Sequence, residues 1–254
     1  MKKAGLRYQY HNIKDNKGEC LLWIFHNKPR SSLAQTEDSV RQLALELISR
    51  GATVYAGARN PDSIQLPGTK PLQIDITDPT SAAAAAEVAE DVTLLINNAG
   101  VLTGASLING SLEDIHSEFD THFFGTLSMV RAFAPKIASN GGGTILNILS
   151  VLSWISSVNS AAFSAAKAAE WALTNALRLE LADQKVRVAG LHVGYMDTDL
   201  IAHITAPKLN TADIAKIAID GIQADSYEIL ADELSRKVQK GLAGGVSALY
   251  PQFV

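Results

Sequence analysis

The sequence has one cysteine, Cys20, in 254 residues, so it forms no internal disulfide and offers no Cys/His cluster at zinc-ligand spacing. It has no excess of positive charge: 22 basic against 26 acidic residues leave a formal net charge of −4. That removes the field that draws a protein to nucleic acid or to an anionic membrane. No apolar run approaches the roughly 20 residues of a membrane-spanning helix; Leu21 to Phe25 is far too short, and the opening MKKAGLRYQYHNIKDNKGEC carries basic residues without the apolar stretch of a secretory leader. A cytoplasmic location is the expectation. The last absence is local. Of 18 glycines, none lies between Glu19 and Arg50.

What is present is an alternation. Short aliphatic or β-branched runs at Cys20–Phe25, Thr53–Ala56, Pro71–Asp75, Val92–Ile96, Thr144–Leu149, Val186–His192 and Glu228–Leu230 predict strands. Several are apolar at successive positions, as strands covered on both faces must be. Between them, Glu37–Arg50, Pro79–Glu90, Leu112–Ala138, Ser160–Ala182, Thr211–Ala224 and Asp232–Leu242 predict helices. Thr36 or Ser39 caps the first, and Asp78-Pro79 and Asn210-Thr211 open two others. Strand and helix repeated this way predict an α/β, Rossmann-like doubly wound parallel sheet of about seven strands with helices on both faces. No composition break divides it, so residues 1–254 read as one domain with an atypical segment at 1–36.

In open parallel sheets, ligands bind beyond the carboxyl ends of the strands. Three such ends carry unusual residues. Asn97-Asn98-Ala99-Gly100 follows one apolar run, Ser150 follows the next, and Gly194, Tyr195, Asp197 and Thr198 follow a third, with Lys167 on the intervening helix. Together with Asp75 at the end of the third strand, this set resembles the short-chain dehydrogenase/reductase family from about Gly51 onward. The resemblance implies NADP(H) or NAD(H) as cofactor. Asp75 would face the adenine, Asn97, Ala99 and Gly100 the ribose, and Thr198 the nicotinamide or pyrophosphate. Lys167 would hold the nicotinamide ribose. Arg59 stands where a basic residue of the family meets the 2′-phosphate of NADP, and a planar guanidinium suits phosphate; the other reading is a solvated arginine. The region 196–208 would build the substrate pocket, and Leu200 and Ile204, with Tyr195, Ser150 and Phe163, imply a small hydrophobic ligand.

The catalytic set of the family is Asn, Ser, Tyr and Lys. Here the serine is Ser150, with Ser153 as second choice, and the lysine is Lys167. The tyrosine position, four residues before the lysine, is Phe163. Phenylalanine keeps the volume and loses the ionisable group, and general acid catalysis supplies about 10²–10⁴ in rate. The asparagine position is His122, read either as a substitute acid, since imidazole titrates near neutrality, or as a helix histidine with no task.

The glycine gap is the third departure. The family turn between the first strand and first helix is glycine-rich, whereas the matching segment here, Leu33 to Val40, has none and carries Glu37 and Asp38. Two like charges about 4 Å apart repel by about 1 kcal/mol in water, and side chains block a close backbone approach to phosphate. The polar segment His26–Ser32 before it reads as a loop. Three functions follow as expectations: a pocket used for non-redox catalysis or ligand binding, a non-catalytic subunit paired with an active homologue, and an unusual active NADP(H)-dependent oxidoreductase acting on a hydrophobic ketone or alcohol, with His122 or Tyr195 as proton donor. Association into a dimer or tetramer is expected through the helix 160–182, whose Ala165, Ala166, Ala168, Ala169 and Ala172 suit close packing.

Overall fold

The computed structural model describes residues 19–23, 34–194 and 209–253. Seven strands form one sheet: β1 (Glu19–Trp23), β2 (Thr53–Ala58), β3 (Thr69–Gln73), β4 (Val92–Asn97), β5 (Gly143–Ile148), β6 (Val186–His192) and β7 (Glu228–Leu230). Their order is β3-β2-β1-β4-β5-β6-β7, and every neighbouring pair is parallel. The order reverses between β1 and β4, where a doubly wound sheet opens its ligand crevice. Pro71 lies in edge strand β3, where a missing N–H costs no ladder bond on the outer side.

The helices are α1 (Ala34–Ser49), α2 (Pro79–Val88), α3 (Leu112–Phe119), α4 (Thr126–Ser139), α5 (Ala161–Glu180), α6 (Thr211–Gln223), α7 (Glu233–Gly241) and the short α8 (Gly245–Leu249). Two apolar clusters show how they are layered. Leu43 and Leu47 of α1 and Ile214 and Ile219 of α6 pack with Leu94, Ile96, Leu146 and Leu191 on one face of the sheet. Met129 and Phe133 of α4 and Leu173 and Leu177 of α5 pack with Leu95, Ile145 and Val188 on the other. Adjacent strand residues such as Leu94 and Leu95 thus enter opposite layers, as the period of two in a strand requires. Asp78 accepts from the Thr80 N–H (2.9 Å) and Asn210 from the Ala212 N–H (2.8 Å), so both expected caps are in place.

Three expectations change. The helix predicted over Leu112–Ala138 is interrupted by a π turn at Asp120–Gly125. A side chain at Gly125 would place its Cβ 2.6 Å from Ile76 Cδ1, so the glycine lets this turn press onto the chain beyond β3. The first helix starts at Ala34 rather than Glu37. Thr36 and Ser39 therefore lie inside it rather than at its start; Ser39 is buried and its hydroxyl accepts from Asn98 Nδ2 at 3.3 Å. Of the small residues on α5, Ala166 is fully buried in the protein, whereas Ala165, Ala168 and Ala169 are half-buried and Ala172 is exposed.

Candidate active site

The ends of β4 and β5, the π turn and the first half of α5 bring four expected residues into one neighbourhood. His122, carried by the π turn, meets Phe163 on α5 edge to face, with ring centroids 5.1 Å apart and planes at 89°. Lys167, one turn further along α5, places Nζ 5.8 Å from the Phe163 ring centre. Ser150 follows β5 and is half-buried. Its hydroxyl accepts from the Leu152 N–H (3.1 Å) while its own N–H donates to Ser153 Oγ (3.2 Å). Ser153 thus closes a capping box around Ser150 and is itself buried, so Ser150 is the more exposed of the two serines.

His122 is almost fully buried, and its surroundings fix its ring. Nε2 lies 2.8 Å from the Val101 carbonyl oxygen and 3.3 Å from Glu118 Oε2. The Val101 carbonyl is an acceptor for a hydrogen on that nitrogen, while the Val101 N–H approaches the same nitrogen at 3.4 Å and Glu118 Oε2 is an ion-pair neighbour without a hydrogen bond. Glu118, four residues earlier and fully buried, takes hydrogen bonds from the Thr103 N–H (2.6 Å) and hydroxyl (2.9 Å) on its other oxygen. His122 Nδ1 is buried and has no hydrogen-bond partner. A Cβ on Gly100 would lie 3.0 Å from His122 Cε1, so glycine at this strand end makes room for the imidazole.

Lys167 is buried as well and is held from two sides. Nζ donates to the Ile148 carbonyl (2.7 Å) and to Glu170 Oε2 (2.7 Å). The other oxygen of Glu170 accepts from Thr126 Oγ1 at 3.0 Å. Beside this lies a chain of neutral groups: Asn97 Nδ2 donates to Asn147 Oδ1 (2.8 Å), Asn147 Nδ2 to Thr174 Oγ1 (2.8 Å), and Thr174 Oγ1 to the Glu170 carbonyl (2.8 Å). Glu118 and Glu170 were not singled out in the sequence. Their spacing of four and three residues from His122 and Lys167 is the helix-face signal that could have found them.

Toward the other end of the crevice, Arg59 stands one residue past β2. Burial lowers its pKa and the charge of Asp75 works against that. Asp75 lies two residues beyond β3 rather than within it, and its carboxylate accepts from the Thr77 N–H (3.0 Å) and hydroxyl (2.7 Å). Ala99 and Gly100 continue from β4, and Asn97 keeps a buried Oδ1 without a partner. Tyr195, Thr198, Leu200, Ile204 and the loop 26–32 lie outside the described residues. His192, at the end of β6, was not singled out as a site residue: its ring stacks on Trp154 at 3.7 Å, and its Nδ1 lies 3.3 Å from the Ser150 carbonyl. Among the described residues no cluster of three or more His, Cys, Asp or Glu is placed to hold a metal ion, and no helix is long and apolar enough to cross a membrane.

A doubly wound parallel sheet with these residues beyond its strand ends is a Rossmann-like architecture. A family model described as short chain dehydrogenase matches residues 40–209, and the chain belongs to that family. It is 32% identical over 222 residues to an NADPH-dependent 1-acyldihydroxyacetone phosphate reductase of Schizosaccharomyces pombe, covering 84% of this chain and 73% of the relative. It is 27% identical over 213 residues to a 1-deoxy-11-beta-hydroxypentalenate dehydrogenase of Streptomyces exfoliatus, covering 78% and 72%. A short chain dehydrogenase from Burkholderia cenocepacia, solved in complex with NADP, superposes with a TM-score of 0.82 at 32% identity, covering 94% of this chain and 98% of that one.

The residues present fit such a nucleotide on the adenine and nicotinamide sides. The orphaned Asn97 Oδ1 and one unused N–H of Lys167 are groups a ribose hydroxyl would satisfy, while the space beside Gly100 is taken by the His122 imidazole. On the pyrophosphate side, α1 begins at Ala34 and the position of the last family glycine is Val40, fully buried in the core. Phosphate there would be held without a glycine turn.

Proposed function

We propose that this chain is an NADP(H)-dependent oxidoreductase that acts on a hydrophobic ketone or alcohol, with His122 taking the part of the missing phenol at position 163. The observation that carries this reading is the contact of the His122 imidazole with the Phe163 ring, which sets a titratable group beside the position left without one. Arg59 would hold the 2′-phosphate, Asn97, Ala99 and Gly100 the adenosine ribose, and Lys167 the nicotinamide ribose. When bound, the cofactor supplies or takes the hydride.

The remaining steps belong to the protein. The Ser150 hydroxyl donates to the ketone oxygen and orients it. In reduction the imidazolium form of His122 releases its Nδ1 proton to that oxygen, leaving a neutral ring whose Nε2 faces the Val101 carbonyl; in oxidation the neutral Nδ1 takes the proton back. An apolar substrate is supported by the loop 104–110, which lies against the start of α5 through the Ala162 N–H to Ala105 carbonyl bond (3.2 Å). Ile108 and Val158 there are nearly fully exposed. The substrate named for the fission-yeast relative, a 1-acyldihydroxyacetone phosphate, carries a phosphate as well as an acyl group, and only the acyl part agrees with this reading.

Titration of the purified protein with NADPH, followed by transfer of a deuteride from labelled NADPH to hydrophobic ketones, tests this. Micromolar binding with label in the alcohol supports it. No binding sinks it and leaves the second reading, a pocket for non-redox chemistry, which the start of α1 at Ala34 and the phenyl ring at position 163 favour. The helix α5, which exposes Ala172 and Leu179, is proposed as the surface for a homo-oligomer or for an active homologue; native mass spectrometry reads which.

A further inference from the structure

We propose that Glu170 cancels the charge of Lys167 and fixes its ammonium, so that a hydroxyl placed at position 163 keeps its proton at neutral pH. The two side chains lie three residues apart on α5, and Nζ and Oε2 meet at 2.7 Å with both residues buried. The carboxylate is complete on both oxygens, one on Lys167 and one on the Thr126 hydroxyl. The ammonium donates a second hydrogen bond to the Ile148 carbonyl and keeps one N–H for a ligand.

Nζ lies 5.8 Å from the Phe163 ring centre. An uncompensated ammonium roughly 6 Å from a hydroxyl, at an effective dielectric of about 20, lowers its titration point by about two pH units. A carboxylate bonded directly to that ammonium removes most of this effect. The other charged groups around position 163 are His122 and the exposed Asp120 on the π turn and Glu118 of α3 behind His122, while the turn Val151–Ser153 contributes none. Glu170 is therefore a positioning residue: it sets where Lys167 points and how much positive field reaches the reacting groups. This charge balance is independent of the reaction the site carries.

The test introduces a phenol as a pH probe by Phe163→Tyr, with tyrosine labelled at the ζ carbon so that the one resonance absent from the wild type reports its titration by NMR. In F163Y it titrates near the free value of about 10. In F163Y/E170Q, where the amide still fills the space, it falls by one pH unit or more. In F163Y/K167M/E170L, where both charges are gone, it returns to within a few tenths of F163Y. Titration of F163Y well below 9, or no movement in F163Y/E170Q, overturns the proposal. Should E170Q fail to fold, the triple variant decides alone, because apolar replacement of a whole buried ion pair is commonly tolerated; agreement with F163Y supports cancellation, and a rise of one pH unit or more refutes it.

Discussion

The imidazole of His122 stands edge-on to the phenyl ring of Phe163 at 5.1 Å, so the two positions that depart from the family's catalytic set touch each other. The departures are coupled, and a change at one should be read through the other. With His122 as proton donor, His122→Asn removes the titratable group and lowers the reduction rate at saturating NADPH by about 10²-fold or more. Adding Phe163→Tyr to that variant restores a phenol and recovers the rate. Steady-state NADPH oxidation with a hydrophobic ketone checks both; an unchanged rate in His122→Asn removes the histidine from the mechanism.

Gly100 is the second point of sensitivity. A Cβ there lies 3.0 Å from His122 Cε1, and the ring cannot retreat because Val101 and Glu118 hold its Nε2 while Phe163 covers its edge. Gly100→Ala is expected to destabilise the fold by about 1–3 kcal/mol, as overpacking does, and to lower activity further by moving the imidazole. Urea unfolding together with the reductase assay separates the two effects. A variant as stable as the wild type would mean that the imidazole has another place to go.

These residues show what could be read in advance. The sheet was legible because β2, β4, β5 and β6 are buried on both faces, which forces apolar side chains at successive positions and leaves a pattern that polar loops do not share. Ser150, Phe163, Lys167 and His122 could be named only through the family resemblance, which supplies the positions to count from; the structure sets His122 and Lys167 beside Phe163. The π turn was not, since a helix with one wider turn has almost the same apolar period. Nor was the commitment of Lys167 to Glu170: a lysine and a glutamate three apart on a helix are ordinarily a solvated pair, and only burial by α4 and β5 turns them into part of the site.

His192 predicts an acid-sensitive fold. Burial pushes its pKa down to about 4 from the ordinary 6.5, with the Ser150 carbonyl acting weakly in the other direction. Between those two values the unfolded chain holds a proton that the folded protein refuses. The neutral ring's contribution is therefore complete above about pH 6.5 and is lost as pH falls toward 4, on the order of 3 kcal/mol over the window. His192→Asn keeps a donor for the Ser150 carbonyl and removes the titration. Unfolding free energies at pH 4.5 and 7 should differ less in the variant than in the wild type by about that amount. Equal pH dependence in the two proteins would show that His192 is charged in the fold or protonated at no cost.

Under the proposed function, Arg59 would set the choice between NADP(H) and NAD(H). It stands at the end of β2, close enough to Asp75 for that carboxylate to support its charge while burial opposes it. A guanidinium already balanced by a neighbouring carboxylate gains from a 2′-phosphate only the increment of a second charged partner, on the order of 1.5–3 kcal/mol for a charge-assisted hydrogen bond. That corresponds to about tenfold to a hundredfold in affinity. Arg59→Ala should therefore weaken NADPH by that factor, measured by calorimetry, and leave NADH nearly unchanged, because only the 2′-phosphate distinguishes them. Asp75→Asn should act in the opposite sense on the same ratio by leaving the guanidinium less compensated. If both cofactors weaken equally in Arg59→Ala, the arginine supports the local fold instead, and the preference must be set by residues outside β2 and β3.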